Sequence, residues 1–549
     1  MKFLSINILL VSGAVLLSAP VAAESQCEAL SETYSTSADM RITASEALPS
    51  KSEWGIAHCH VQGVTHEHTG IDGQEYGIRF ELRLPEGWNH GFIHQFNGGT
   101  DGEVVPATGE VLPGTGSALA RGFAVVSSDA GHDSYAQDAG LASGARFGLD
   151  PQARQDYGYA AVAKLHPLAV SLVEDFYATE VRYTYGVGRS NGGRHAMVAA
   201  ARMPDAFDGL LVGYPGLNLP KAALQHAWDI QAFTAIEGDV RRAFSRDDLA
   251  LVANAVRQSC DHLDGVEDGI VADIDACQEH FDIEQLRCEA GHPQACLSSA
   301  QVAALKAVHG GPHNSQGVPL YSDWPWDTGI ASQNWRMWKL ESPIDAWDNR
   351  PIIGVMGASA LAQVFTTPPT EVAGDPASLE EYLLTFDLDS DAPLIHASND
   401  TFSESAMAFM TPPGVDDPEM AEFKAAGGRM LVFHGTSDPV FSVNDTARWY
   451  RQLDHNHDGR ADQFVRFYRV PGMPHGVDGV VTADIDFLSA LTAWVEEGER
   501  PDAILAGVQP DNQEALDALG DISRPLCPYP QVARYRDGDK SSADSFVCE

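Results

Sequence analysis

Gly188-Arg189-Ser190-Asn191-Gly192-Gly193 follows the β-rich run YTYGV and precedes the helix-like RHAMVAAARM. A serine flanked by glycines at a strand-turn-helix junction lies on a turn tight enough to hold its hydroxyl out at the edge of a sheet. That hydroxyl is a weak nucleophile at neutral pH. It needs a base, and the base needs an acceptor that fixes its tautomer and stabilises the imidazolium. On folds that use this turn, the acid and then the histidine follow the serine in chain order, each just after a strand. RMLVFHGTSDP places Asp438 after one β-rich run, and FVRFYRVPGMPHG places His475 after the next. Among twenty histidines, His475 is singled out by order, by strand-end position and by the Pro-Gly loop that would present it. His132, His195 and His434 lack that combination.

Acyl transfer also needs donors aimed at the developing oxyanion. The backbone N–H of Asn191, just after the serine, is one. A second can come from HQFNGGTDG, where Gly98 and Gly99 let the backbone approach a ligand with no Cβ in the way. Phe441, three residues after Asp438, belongs to a loop beside the expected cleft and is assigned as substrate wall. Trp324, Trp326, Trp335, Trp338 and Phe365 could wall a pocket too, but such residues are more often core.

A different chemistry is suggested by Cys260-Asp261-His262-Leu263-Asp264-Gly265-Val266-Glu267-Asp268-Gly269-Ile270. Carboxylates at i, i+3 and i+7 with two glycines can wrap hard oxygen ligands round a cation, backbone carbonyls completing the shell. Asp454-His455-Asn456-His457-Asp458-Gly459 opens like a calcium loop, but its twelfth position is Val465 where a bidentate Glu is needed, so it reads as a hydrated turn.

The elements that must position these groups alternate. β-rich runs at 76–84, 91–96, 122–129, 183–188, 209–215, 429–435 and 464–470 are separated by amphipathic segments such as 158–177 and 484–496. That rhythm predicts an α/β fold with a mostly parallel sheet covered on both faces. It breaks between 217 and 425, a stretch rich in Trp, Pro and Asp with four cysteines, which reads as an inserted lid. The expected organisation is a leader over 1–23, a catalytic domain over 24–216 and 426–549, and a lid over 217–425.

MKFLSINILLVSGAVLLSAPVAA has one lysine, an apolar run and small residues before Glu24, the pattern of a secretory signal cut after Ala23. The mature chain is expected outside the cytoplasm, periplasmic or secreted, where disulfides persist. Eight cysteines beyond the leader permit 105 pairings. Their clustering favours local ones: Cys27 with Cys59, Cys260 with Cys277, Cys288 with Cys296, Cys527 with Cys548. No CxxC spacing suggests zinc. With 35 Lys plus Arg against 77 Asp plus Glu, the net charge of −42 repels phosphate and argues against nucleic acid or anionic membrane as partner. The partner expected is a small-molecule ester; oligomeric state is not legible.

Taken in order, GRSNGGR with MPDAFDGLLVGYPGLNL, SSDAGHDS, QVAALKAVHGGPHNSQGVPLY, FHGTSDPV, YRVPGMPHG, TAWVEEGERPDAI and RPLCPYPQVARY resemble the tannase and feruloyl esterase family. That family also includes a hydrolase of mono(hydroxyethyl) terephthalate. The resemblance runs over nearly the whole mature chain. It implies an α/β-hydrolase core with a lid, a triad of Ser190, Asp438 and His475, and hydrolysis of phenolic or other aromatic acyl esters through a serine acyl-enzyme. It also implies a structural calcium held by Asp261, Asp264, Asp268 and the carbonyls of Val266 and Ile270. The sequence departs from the family at Arg189 and Gly476, where members typically carry two cysteines whose disulfide ties the catalytic loops. Two alternatives are an esterase for aliphatic hydroxy-acid esters or oligomers, and a non-catalytic binding protein on a hydrolase scaffold. Retention of all three triad residues weighs against the second.

Overall fold

Strand and helix alternate through both ends of the chain, and all the long strands join one sheet. The computed structural model describes residues 19–35, 40–52, 54–136, 138–289 and 295–549. Residues 1–18 of the expected leader lie outside these, and its last five residues open a helix, Ala19–Thr33. The sheet strands are β1 (Met40–Leu48), β2 (His58–Thr69), β3 (Glu75–Pro85), β4 (Gly91–Phe96), β5 (Ala124–Ser128), β6 (Tyr183–Arg189), β7 (Gly209–Gly213), β8 (Arg429–Gly435) and β9 (Val465–Val470). Their order is β1-β2-β3-β5-β4-β6-β7-β8-β9. Pairing is antiparallel from β1 to β5 and parallel from β5 through β4 to β9. This is the mostly parallel sheet of an α/β-hydrolase core. The seven β-rich runs of the sequence became β3 to β9, whereas β1 and β2 carried no such signal.

The parallel strands are buried on both faces, which is why they read as unbroken apolar runs. In β7 all five residues are buried. Side chains alternate across a strand. Leu210 and Val212 accordingly pack with Ala196 and Met197 of the helix Asn191–Arg202. Leu211 packs on the other face with Phe487, Leu488 and Leu491 of the helix Phe487–Glu496.

Between Gly213 and Arg429 the described chain contributes no strand to this sheet. Helices such as Leu219–Glu237, Arg246–Cys260 and Ser299–Gly310 fill the interval. Their buried residues share one apolar cluster with Phe147, Tyr157, Val440 and Phe441 of the sheet-bearing part. The insertion is thereby packed onto the body of the protein. Trp324, Trp335 and Phe365 are buried within that cluster.

Four disulfides join the expected partners: Cys27–Cys59, Cys260–Cys277, Cys288–Cys296 and Cys527–Cys548. Among the described residues, no helix is long and apolar enough to cross a membrane.

Candidate active site

β4 and β6 are neighbours in register, with Phe96 opposite Gly188, so the loops that leave them start side by side. β6 pairs with β7 up to Arg189 and Gly213, and β8 with β9 up to Gly435 and Val470. Parallel strands end at one edge, and that edge collects Gly98, Ser190, Asp438 and His475 from segments far apart in sequence. This is the crevice where such sheets carry their sites.

Ser190 stands at φ 60°, ψ −128°, a conformation costly for any residue with a Cβ. Its surroundings hold it there: Ser190 N donates to Gly213 O at 2.9 Å. A Cβ on Gly192 would lie 2.4 Å from Phe96 O, and one on Gly188 2.4 Å from Gly192 O, so both positions exclude a side chain.

His475 Nε2 lies 2.8 Å from Ser190 Oγ, and His475 Nδ1 lies 2.8 Å from Asp438 Oδ2. With Nδ1–H donating to the carboxylate, Nε2 is left to accept the serine proton. Asp438 Oδ1 accepts from Val440 N at 2.7 Å and Phe441 N at 3.1 Å. Burial alone would raise this carboxyl, but the charge of His475 and hydrogen bonding from His434 and His475 outweigh it. Asp438 is held well below the usual carboxylate range. Of the other histidines weighed in the sequence, His434 flanks Asp438 at 3.4 Å, His195 is buried within the helix that follows the serine, and His132 stacks on Phe147. None of the three reaches Ser190.

Three rings enclose the His475 imidazole edge-on: Tyr214 at 4.9 Å, Trp338 at 5.0 Å and Phe441 at 5.4 Å. Phe441 is buried against Gly216 and is not part of the lining of the cleft that opens on Ser190. That cleft, of about 640 Å³, is lined by Trp54, Phe96, Gly98, Arg189, Ser190, Tyr214 and His475, among others. Burial pushes the Tyr214 hydroxyl up to about 12, against the pull of the neighbouring Arg189. Gly98 faces the serine: a Cβ there would be 3.8 Å from Ser190 Cβ. Gly99 follows at φ +64°, the left-handed region that glycine enters freely. Arg189 and Gly476 both line this cleft, one beside the serine and one beside the histidine.

Sequence reasoning missed the groups that hold the loops. Asp327, from the inserted segment, accepts from Ser437 Oγ at 2.8 Å, from Gly472 N at 3.2 Å and from Thr436 Oγ1. Asn334 donates to His475 O at 3.3 Å, and Trp324 Nε1 donates to Asp438 O at 2.9 Å. No linear motif marks these residues, because their partners lie more than 100 positions away.

The acidic loop at 261–270 folds back on itself. Asp261 Oδ1 accepts from Asp268 N at 3.0 Å and Gly269 N at 3.1 Å. Asp268 Oδ2 is ion-paired with Arg524, whose Nε is 3.1 Å away. Burial, with the nearby charges of Asp268 and Asp261, pushes the Asp264 carboxyl up to about 7. The loop's oxygens are partly engaged, and among the described residues no three His, Cys, Asp or Glu groups stand in metal-holding geometry. The second acidic loop closes the helix Val443–Asn456, Asp454 Oδ1 accepting from Ala461 N at 3.0 Å.

Residues 59–549 match the family model described as tannase and feruloyl esterase. The chain is 36% identical to mono(2-hydroxyethyl) terephthalate hydrolase of Piscinibacter sakaiensis, over 96% of this chain and 92% of that protein. It is 29% identical to a probable feruloyl esterase of Arthroderma benhamiae, over 91% and 87% of the two chains. The crystal structure of feruloyl esterase B from Aspergillus oryzae superposes with a TM-score of 0.76 at 21% identity, covering 96% of this chain and all of that one. With the fold, the matched family and relatives of this coverage in agreement, the protein is a carboxylic ester hydrolase, and the chain belongs to the tannase and feruloyl esterase family.

Proposed function

We propose that Ser190 is the nucleophile of this esterase, His475 its general base and Asp438 the residue that orients the histidine. The observation that carries the reading is the unbroken chain from Ser190 Oγ through His475 to Asp438, each contact 2.8 Å. Ser190 Oγ attacks the ester carbonyl carbon while its proton passes to His475 Nε2. The tetrahedral oxyanion is received by the N–H groups of Asn191 and of the Gly98-Gly99 loop. The bond to the alcohol oxygen then breaks as His475 returns the proton to it. Water, deprotonated by His475, releases the acid from the serine in the reverse sequence. Asp438 stays ionised throughout and offsets the imidazolium charge.

The substrate reading is an ester of an aromatic acid. It is supported by the rings of Trp54, Phe96 and Tyr214 in the cleft and by relatives named for feruloyl and terephthalate esters. A panel of p-nitrophenyl, gallate, ferulate and terephthalate monoesters tests it, with kcat/KM for an aromatic acyl ester expected at least tenfold above that for an aliphatic one. A preference for aliphatic hydroxy-acid esters would overturn the substrate class and leave the chemistry standing.

Two further assignments belong to the same reading. Export is supported by the leader-like 1–23 and by four disulfides; a mature N-terminus at Glu24 is the expected result. Calcium in the 261–270 loop is supported by its hard-oxygen donors, with carboxylates at i, i+3 and i+7 and two glycines. Asp261, Asp264, Asp268 and the carbonyls of Val266 and Ile270 would hold it. The ion would supply positive charge that fastens the loop and take no part in ester cleavage.

A further inference from the structure

The two oxyanion donors come from different elements, and a tetrahedral oxyanion tolerates little error in their spacing. Asn191 begins the helix Asn191–Arg202, whereas Gly98 and Gly99 lie in the loop after β4. Backbone pairing brings β4 and β6 together only up to Phe96 and Gly188. Beyond that register something else must set the distance.

Asp101 lies in the same loop, at φ 54°, with its N–H donating to Gly98 O at 3.2 Å, so its backbone is tied to the glycine pair. Its side chain is 1% exposed and points across to the helix. Asn191 Nδ2 donates to Asp101 Oδ2 at 2.9 Å, and His195 Nε2, one turn further along, lies 2.9 Å from the same oxygen. The other end of the Asn191 amide is held as well, Oδ1 accepting from Arg194 Nε at 2.6 Å. Arg194 is itself anchored to the carbonyls of Gly158 at 2.7 Å and Tyr157 at 3.1 Å. The Tyr157 hydroxyl completes the circuit by donating to Gly99 O at 3.3 Å. Asn191, Arg194 and His195 are all buried. A buried polar network satisfied at every link is stiff, because each broken link strands a desolvated group.

We propose that Asp101 is a positioning residue for ester hydrolysis, binding the loop that carries Gly98 and Gly99 to the Asn191 side chain so that both oxyanion N–H groups converge on one point. The proposal rests on Ser190 and Asn191 having the roles assigned above. Asp101 touches no reacting atom. It acts through the backbone on either side, and the cost of losing it appears only when the carbonyl carbon becomes tetrahedral, since the donors are aimed at the oxyanion and not at the ground-state carbonyl oxygen. His195 acquires a purpose here: its ring supplies the second donor to Asp101.

The test is steady-state kinetics on Asp101→Ala, Asp101→Asn, Asn191→Ala and the Asp101→Ala/Asn191→Ala double variant in the full-length protein, with Ser190→Ala alongside. Asp101→Ala should lower kcat about 10- to 100-fold with KM within threefold of the parent. Affinity for an arylboronic acid, which forms a tetrahedral adduct on the serine, should fall by a similar factor. Asp101→Asn keeps an acceptor for Asn191 and His195 and tolerates the positive φ, so it should recover most of the loss. Asn191→Ala should resemble Asp101→Ala, and the double variant should be no worse than the poorer single one, because both cut the same link. Additive losses in the double variant, an unchanged kcat in Asp101→Ala, or a loss carried by KM alone would overturn the proposal while Ser190→Ala remains inactive. Full activity in Ser190→Ala would overturn this proposal together with the reading it rests on.

Discussion

Ser437, the residue beside Asp438, donates its hydroxyl to Asp327 at 2.8 Å, so a carboxylate of the inserted segment grips the loop that carries the triad acid. The same oxygen receives Gly472 N at 3.2 Å, from the loop that leads to His475. One buried carboxylate therefore fastens the acid loop to the base loop. Asp327→Ala strands the Ser437 hydroxyl, at about 1–3 kcal/mol, and leaves Gly472 N with Thr436 Oγ1 as its acceptor, so the tie between the two loops is lost. We expect lower stability by a few kcal/mol and kcat reduced about tenfold or more, read by urea unfolding and ester kinetics. Wild-type values in both would show that the loops hold each other without the inserted segment.

Ser190→Ala should remove ester hydrolysis while leaving the fold intact, because only binding and the oxyanion donors remain. Asp438→Asn should leave the backbone in place and lower kcat about 10³- to 10⁴-fold by favouring the wrong tautomer of His475. Activity of Ser190→Ala within tenfold of the parent would sink the nucleophile assignment.

Acid sensitivity follows from Asp438. Its folded carboxyl is held below the ordinary 3.8. Such a group contributes stability that is fully present above its unfolded value and is lost as pH falls through the folded one. The stability difference between the parent and Asp438→Asn should therefore be constant near neutrality and narrow progressively below about pH 4. Chemical denaturation at a series of pH values measures this. A difference that widens on acidification would contradict the sign.

The parts of this site that were legible in the sequence are those whose position follows from strand ends. Ser190, Asp438 and His475 each follow a β-rich run, and in a parallel sheet such runs finish at one edge, so order along the chain became neighbourhood in space. β1 and β2 were not legible. They pair antiparallel at the sheet's edge, and MRITASEAL and HCHVQGVTHEHT carry polar and charged residues where a buried strand would show an apolar run. Asp327 was invisible for another reason: its contact with Ser437 spans 110 residues and belongs to no local pattern. Phe441 was assigned to the substrate wall from its place in the acid-bearing loop; its ring packs on His475 from within the core, and Tyr214 lines the cleft.

Calcium, if bound as proposed, stabilises only the folded loop, and should raise Tm by mass action. A chelator should lower Tm by several degrees, with calcium found by elemental analysis of the untreated protein. Arg524 is the competing cation, through its ion pair with Asp268. Arg524→Met should therefore make the protein more dependent on calcium. Equal melting curves in chelator and in calcium, for both proteins, would remove the ion from the loop.

The place of the family's missing disulfide can be tested by restoring it. Arg189 and Gly476 line one cleft, beside the nucleophile and beside the base whose rings and hydrogen bonds already bring the two loops together. A disulfide needs Cα atoms about 4.4–6.8 Å apart and converging Cβ vectors. Gly476 is not among the glycines at positive φ, so cysteine meets no backbone penalty there. A Cβ at Gly476 would lie 3.0 Å from Asp478 Oδ1 and 3.2 Å from Asn334 Nδ2, both ends of side chains that can shift. Removing Arg189 costs its contact with the Tyr214 hydroxyl. Linking positions so far apart in sequence should stabilise the protein by up to roughly 5 kcal/mol in the chain-entropy picture, with strain subtracting from it. We therefore expect Arg189→Cys/Gly476→Cys, made in an oxidising compartment, to close its bridge, melt at higher temperature than its reduced form, and keep measurable esterase activity. Mass spectrometry that finds two free thiols in correctly folded protein would mean that these loops diverge where the family's meet, and that Arg189 occupies a cleft too wide to be bridged.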